Sequence, residues 1–207
     1  QNIDLFNLKS NYMSTKYKFL NSSGIYFISF AVVDWIDVFT RQIYKDIVVK
    51  SLKYCCDHKG MRLFAWCIMS NHIHLIFDVK ENIKHGELIR DFKKFSSKEL
   101  IKAIIKNTKE SRKEWMLERF SIAGEGRSNV KSYQFWQQSN HPIEVFSPTV
   151  IAQKLDYIHL NPVKAGFVDE AHFYIYSSAS NYYSGKGLID VVIIDLPMSN
   201  IGYIRME

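Results

Sequence analysis

Two short stretches of the chain carry residue types that do chemistry. The first is His72-Ile73-His74. In an extended strand, residues two apart share a face, so His72, His74, Ile76 and Asp78 point one way and Ile73, Leu75, Phe77 and Val79 the other. The second set is uniformly apolar and reads as the core side, which turns both imidazoles away from it. Two neighbouring imidazoles supply two ligands of a divalent-metal site. With 7 His in 207 residues, roughly 0.2 such pairs are expected by chance, so the pair alone also fits two half-exposed strand histidines.

The second stretch holds Tyr157 and Asn161. They stand at i and i+4 on a helix expected over 148–161, so they are neighbours on one face. Val150 and Lys154 continue that stripe, whereas Ile151, Leu155 and Ile158 form a separate apolar stripe that suits the core. A phenol is a covalent nucleophile, and an amide oxygen is a hard metal ligand. Most of the 12 Tyr must simply pack, and Tyr157 alone would be read that way. Taken together, the two stretches describe one chemistry. A metal held by two His and an amide oxygen polarises a phosphodiester, and a tyrosine one helical turn from the amide attacks it. Lys154, one turn before Tyr157, is a candidate to steady the phenolate or the phosphate.

Positioning these groups needs a particular set of elements. Ile25–Val33 reads as a buried strand, and a helix with apolar residues at helical spacing follows from Thr40 through Asp57, stopped by Gly60. Leu63–Met69 and His72–Val79 read as two strands joined by the Ser70-Asn71 turn, hence an antiparallel hairpin. A helix is expected from about Gly86 to Lys106, with Ser96-Ser97 as an interruption. A fourth strand is expected, flanked by Tyr133–Trp136 and Pro142–Phe146. Ser147-Pro148 starts the next helix, and Pro162 is expected to end it at Asn161. A last strand is expected over Asp190–Ile194. The order matches an α+β, ferredoxin-like β-α-β-β-α-β fold with a central antiparallel sheet and an added C-terminal helix. The division expected is an arm over 1–20, one folded domain over 21–185 and a tail over 186–207. The chain starts at Gln1, Met13 is the first candidate start, and part of 1–12 is read as upstream or added sequence.

Composition narrows the partner. Hydrophobic residues are 47% and charged residues 23%, which supports a core and argues against global disorder. No run of apolar residues is long enough to span a membrane. The three Cys make no CxxC pair, no second Cys or His pair has zinc-finger spacing, and a reducing, cytoplasmic setting is expected. No Walker or dinucleotide-binding glycine pattern occurs. Lys84–Lys113 holds ten basic and four acidic residues, so this segment alone accounts for the net charge of +6. Such a patch suits a phosphate backbone as well as it suits a solvated helix face, and Lys93, Lys94, Lys98 and Lys102 are its candidate phosphate contacts. Tyr133, Phe135 and Trp136 could stack bases, although core packing explains them more simply.

Cys67-Ile-Met-Ser-Asn-His-Ile-His-Leu-Ile76 resembles the HUH motif of the single-tyrosine transposases. Asp156-Tyr-Ile-His-Leu-Asn-Pro-Val-Lys-Ala-Gly-Phe-Val168 resembles their catalytic helix, in the form found in REP-associated tyrosine transposases. Phe135-Trp136-Gln137 and Tyr176-Ser177-Ser178 fit the same pattern, and the resemblance spans about residues 24–185. Many members have Pro where Ser70 stands, a turn position outside the metal shell.

The resemblance implies a metal-dependent single-stranded DNA endonuclease and strand transferase. It implies His72 and His74 as paired ligands of Mg²⁺ or Mn²⁺, Asn161 as the third, amide-type ligand, and Tyr157 as the nucleophile that leaves a 5′-phosphotyrosine and a free 3′-OH. The implied partner is single-stranded DNA carrying a hairpin, with monomer and homodimer both open and no membrane involved. The alternative is a domesticated hairpin-binding protein that does not cleave.

Overall fold

The computed structural model describes residues 19–126 and 132–195. Four strands, β1 (Tyr26–Ala31), β2 (Met61–Ile68), β3 (His72–Val79) and β4 (Ile143–Glu144), form one antiparallel sheet. Their spatial order is β2-β3-β1-β4. Helix α1 (Gln42–His58) connects β1 to β2, and α2 (His85–Lys106) and α3 (Lys113–Gly124) lie between β3 and β4. Helices α4 (Pro148–Lys164) and α5 (Ala179–Ser184) follow β4. This is the expected α+β, ferredoxin-like arrangement with an added C-terminal helix, α4.

Both faces of the sheet are covered, and this corrects the reading of the histidine face as one turned away from any core. On one face Tyr26, Ile28 and Phe30 of β1 and Ile73, Leu75 and Phe77 of β3 pack against α1 and α2. Helix α1 contributes Tyr44, Val48, Leu52 and Cys55, one stripe at helical spacing. On the other face Phe27, Ala65, Cys67 and Ile76 lie under Leu155 and Ile158 of α4. Burying a Leu or Ile side chain contributes about 1.5–3 kcal/mol. That second, smaller core therefore seats α4 directly over the histidine face.

Several boundaries depart from sequence expectation. Ser147 caps α4 as expected, its hydroxyl accepting from the Val150 N–H at 3.3 Å. Pro162, however, lies inside α4. It forfeits only one backbone bond near the end of the helix, and its ring is buried. The helix closes a turn later: the Phe167 N–H reaches the Pro162 carbonyl and the Gly166 N–H reaches that of Val163, both at 2.9 Å. Gly166 takes the left-handed conformation this closure requires (φ 72°). Helix α2 runs unbroken through Ser96, whose hydroxyl turns back to the Phe92 carbonyl (2.8 Å) and accepts the Trp136 indole N–H (3.0 Å).

Thr40 does not cap α1; Arg41 holds that position without a side-chain bond. Helix α3 was not foreseen. It buries Met116, Phe120 and Gly124, and its Arg119 pairs with Asp34 at 2.9 Å. Asp190–Ile194 is not a strand. Val192 makes one bond to the Leu63 carbonyl (2.8 Å), while Tyr176-Ser177-Ser178 takes the outer edge of β2 at Trp66–Ile68. Residues 1–18 of the expected arm and 196–207 of the expected tail lie outside the described residues. No helix among the described residues is long and apolar enough to cross a membrane.

Candidate active site between the histidine strand and helix α4

The β2–β3 turn delivers the histidine pair. His72 opens β3 opposite Ala31, and His74 lies between Ser29 and Cys67 of the neighbouring strands. Their rings share a face with centroids 4.7 Å apart. His74 is only 2% exposed, so it is not the half-exposed strand residue its sequence also allowed, whereas His72 stays partly open. Burial, the nearby His72 and the Lys154 charge push the His74 ring down to about 3, and burial alone lowers His72. Both imidazoles are therefore neutral at ordinary pH, the form that carries a free lone pair.

Hydrogen bonds fix which nitrogen carries it. Asn71 donates its amide N–H to the Trp35 carbonyl (3.1 Å), so its Oδ1 is left to accept from His72 Nδ1 (2.6 Å). That leaves His72 Nε2 as the lone-pair nitrogen. His74 Nε2 meets the Asn161 side-chain amide at 3.0 Å, and the buried His74 Nδ1 has no hydrogen-bond partner among the described residues. A half-turn of the Asn161 amide presents its oxygen at the same place.

Helix α4 supplies the rest. Tyr157 is 43% exposed, with its ring edge-on to His74 (5.1 Å) and to Phe27 (5.9 Å). Lys154 lies over the Phe27 ring (4.8 Å) and within 5.9 Å of the Tyr157 ring centre. His159 points to the opposite side, as expected from its spacing. It is buried, with Nε2 2.8 Å from the Ser178 hydroxyl. Ser178 also accepts from the Trp66 N–H at 3.0 Å, so this contact ties α4 to β2 and sets the rotation that presents Tyr157.

His72, His74, Tyr157, Asn161 and Lys154 thus come together, although β3 and α4 are far apart in sequence. The basic segment does not join them. Helix α2 packs on α1, across the sheet from α4. Lys94, Lys98 and Lys102 are exposed there, and Lys102 approaches Glu99 (4.0 Å). The Lys93 ammonium is taken up by the Gln137 carbonyl (2.6 Å) and Asn140 Oδ1 (2.7 Å), and burial lowers it to about 8. We expect Lys93→Met to destabilise the fold by about 1–3 kcal/mol, because both acceptors lose their donor. Thermal unfolding of the variant beside the parent measures this. Trp136 and Phe135 are core residues, not stacking platforms.

Sequence reasoning missed Asn71 and Phe27. In sequence Asn71 is only a turn residue and Phe27 only part of an apolar run; neither has a spacing signal of its own. Two surface cavities, of about 500 and 660 Å³, lie elsewhere, along α1–α2 and beside His85. The cluster is open to solvent at Tyr157 and partly so at His72, while His74 lies covered beneath α4.

A family model described as IS200-like transposase matches residues 25–133, a span that contains the histidine pair and ends before α4. A Haemophilus influenzae protein described as a REP-associated tyrosine transposase is 27% identical over 171 residues, covering 80% of this chain and 85% of the relative. Among solved structures, a REP-associated tyrosine transposase bound to a REP hairpin matches with a TM-score of 0.53 at 18% identity. That match covers 90% of this chain and 100% of the other, and it speaks for the fold alone.

Proposed function

The chain belongs to the IS200-like transposase family, and on that premise we propose that it is a metal-dependent tyrosine endonuclease and strand transferase acting on single-stranded DNA at hairpin sites. The observation that carries this reading is the convergence of β3 and α4. The Asn161 amide stands 3.0 Å from His74 Nε2, and the Tyr157 ring lies beside that same imidazole.

The donor set fits Mg²⁺ or Mn²⁺. His72 Nε2, His74 Nε2 and the Asn161 oxygen would hold the ion. The Asn161 side-chain amide stands 3.0 Å from His74 Nε2, so an ion bound at that point would find donors from both β3 and α4. Bound there, the ion would neutralise charge on the scissile phosphate and polarise it.

The remaining work belongs to the side chains. Asn71 holds the His72 ring so that its free nitrogen faces outward. Phe27 backs the His74 and Tyr157 rings and excludes water from one side. The phenol oxygen of Tyr157 forms a bond to phosphorus while the bond from phosphorus to the 3′-oxygen breaks. The phenolic proton passes to solvent and the departing 3′-oxygen takes one up, leaving a 5′-phosphotyrosine and a free 3′-OH. The Lys154 ammonium lies close enough to favour the phenolate and the phosphate. Monomer and homodimer both accommodate this chemistry.

The test uses end-labelled single strands with hairpins from the DNA flanking the protein's own gene. With protein and Mn²⁺, a labelled species that survives denaturation and disappears on proteolysis is the expected result, and its length gives the cut position. Tight hairpin binding with no such species in any divalent metal would replace this reading with that of a hairpin-binding protein that does not cleave.

A further inference from the structure

Trp35 stands at the mouth of the site with its indole 57% exposed. Its ring is edge-on to His72, with centroids 5.9 Å apart. The backbone that puts it there is unusual. Asp34 and Trp35 are consecutive non-glycine residues in the left-handed region (φ 52° and 56°). That conformation is unfavourable for any residue with a Cβ and rare for a bulky aromatic. It is held from both sides. Asp34 accepts from Arg119 of α3 (2.9 Å), and the Trp35 carbonyl accepts from Asn71, the residue that also orients His72. A strained turn, tied to two other elements, thus displays a large apolar ring to solvent beside a polar site. Core packing gains little from it, and conformations of this kind concentrate at functional sites.

The rings define two flanks. Trp35 contacts His72, His72 contacts His74, and His74 contacts Tyr157. Tyr157 thus borders the histidine pair at His74, and Trp35 borders it at His72. In an in-line displacement the attacking and leaving oxygens lie on opposite sides of phosphorus. With Tyr157 attacking beside His74, an in-line departure directed toward the His72 end of the pair would carry the leaving nucleotide to Trp35.

We propose that Trp35 is a stacking platform for the base of the nucleotide immediately 5′ of the scissile phosphate, holding that nucleotide in line with Tyr157. The proposal rests on the tyrosine-nuclease reading and adds a DNA-binding residue to it. Stacking on an indole accepts any base, so Trp35 contributes affinity and alignment with little sequence preference. After cleavage the same contact retains the free 3′-OH strand beside the phosphotyrosine, where the reverse attack or strand transfer needs it.

The experiment measures binding in EDTA, where no cleavage intervenes. Hairpin single strands are used, each with one abasic nucleotide placed in turn along the single-stranded flank, and the proteins are wild type, Trp35→Ala and Trp35→Phe. Loss of one stacked base corresponds to about 5- to 150-fold weaker binding. We expect that loss in Trp35→Ala on the intact strand, and near-parental binding in Trp35→Phe. We expect the same loss in wild type when the nucleotide 5′ of the mapped cut is abasic. With that strand, Trp35→Ala should bind no more weakly than wild type. Unchanged Mn²⁺ stabilisation of Trp35→Ala is also expected, because a defect acting through His72 would remove it.

A Trp35→Ala deficit of equal size on every abasic strand would overturn the proposal, and so would parental binding by Trp35→Ala. The abasic result in wild type is independent of any folding defect in the variants. Single-position loss without any covalent adduct would overturn the nuclease reading and with it the placement beside a scissile phosphate, and would make Trp35 a base-stacking residue of a hairpin-binding protein. Failure of wild type to bind the strands would overturn both.

Discussion

Tyr157→Phe is expected to abolish the covalent protein–DNA species while leaving the fold and hairpin binding intact. The contacts of Tyr157 are made by its ring, against Phe27, His74 and the Lys154 ammonium. Phenylalanine preserves the ring and removes only the oxygen. The residue is 43% exposed, and substitutions at such positions usually shift stability by no more than about 0.5 kcal/mol. The chemistry, in contrast, loses its nucleophile. Deleting a nucleophile in other covalent enzymes costs on the order of a millionfold in turnover, so the adduct should fall below detection at any practical enzyme concentration. Denaturing gels with labelled hairpin strands read the adduct, and filter or mobility-shift binding reads affinity. Cleavage persisting in the Phe variant would remove Tyr157 from the reaction. The neighbouring candidates would then be poor replacements, since His159 is buried on the far side of α4 beside Ser178.

The parts of the molecule that followed from sequence are those where a local pattern and the tertiary packing agree. The alternation in His72–Val79 gave the strand to the residue, because one face had to enter the core whatever lay on the other. Ser147-Pro148 marked the start of α4 for a similarly local reason. The failures are places where a distant residue decides. Pro162 continues α4 because its ring is buried and Gly166 can close the helix beyond it, neither of which shows in the dipeptide Asn161-Pro162. Ser96 stays helical because Trp136 comes to it from forty residues away. Helix α3 has only a thin apolar stripe, and ion pairs such as Arg119–Asp34 hold it.

In the site, the types and spacing of His72, His74, Tyr157 and Asn161 pointed to one chemistry. The burial of His74 could not be read the same way, because the helix that covers it is met only seventy residues later. Asn71 and Trp35 stayed hidden for the same reason. Each acts through a contact that no spacing rule connects. The lysine-rich segment is the opposite case. Its charge is plain in sequence, yet the fold places it across the sheet from α4 and ties Lys93 to Gln137 and Asn140.

Removing the histidine pair is expected to separate metal binding from folding. A ligand that binds only the native state adds RT ln(1 + [L]/Kd), about 2.7 kcal/mol at a hundredfold excess over Kd. For a domain of this size that is a rise in Tm of about 5–10 °C. Wild type should show such a rise with Mn²⁺, and Mg²⁺ should give it at higher concentration. His72→Ala should lose most of the rise with little change in the metal-free Tm, because His72 is partly exposed and packs at the open end of β3. His74→Ala should lose the rise and also melt lower without metal, since a ring 2% exposed beneath α4 leaves a cavity and strips the Asn161 amide of its partner.

The rise should survive mild acidification. Burial keeps the folded His74 ring near 3, below the ordinary 6.5, so protons do not compete for it until the pH is far lower. The same depressed value has a cost for folding. Between about 3 and 6.5 the unfolded chain binds the extra proton, so stability from this group rises with pH across that window and falls as acid is added. His74→Ala should flatten that part of the pH–Tm curve, and His72→Ala should change it less. A Mn²⁺ rise of full size in the His72→Ala/His74→Ala double variant would mean that the ion is held elsewhere on the molecule. The chemistry assigned to β3 and α4 would then lack its source of charge neutralisation.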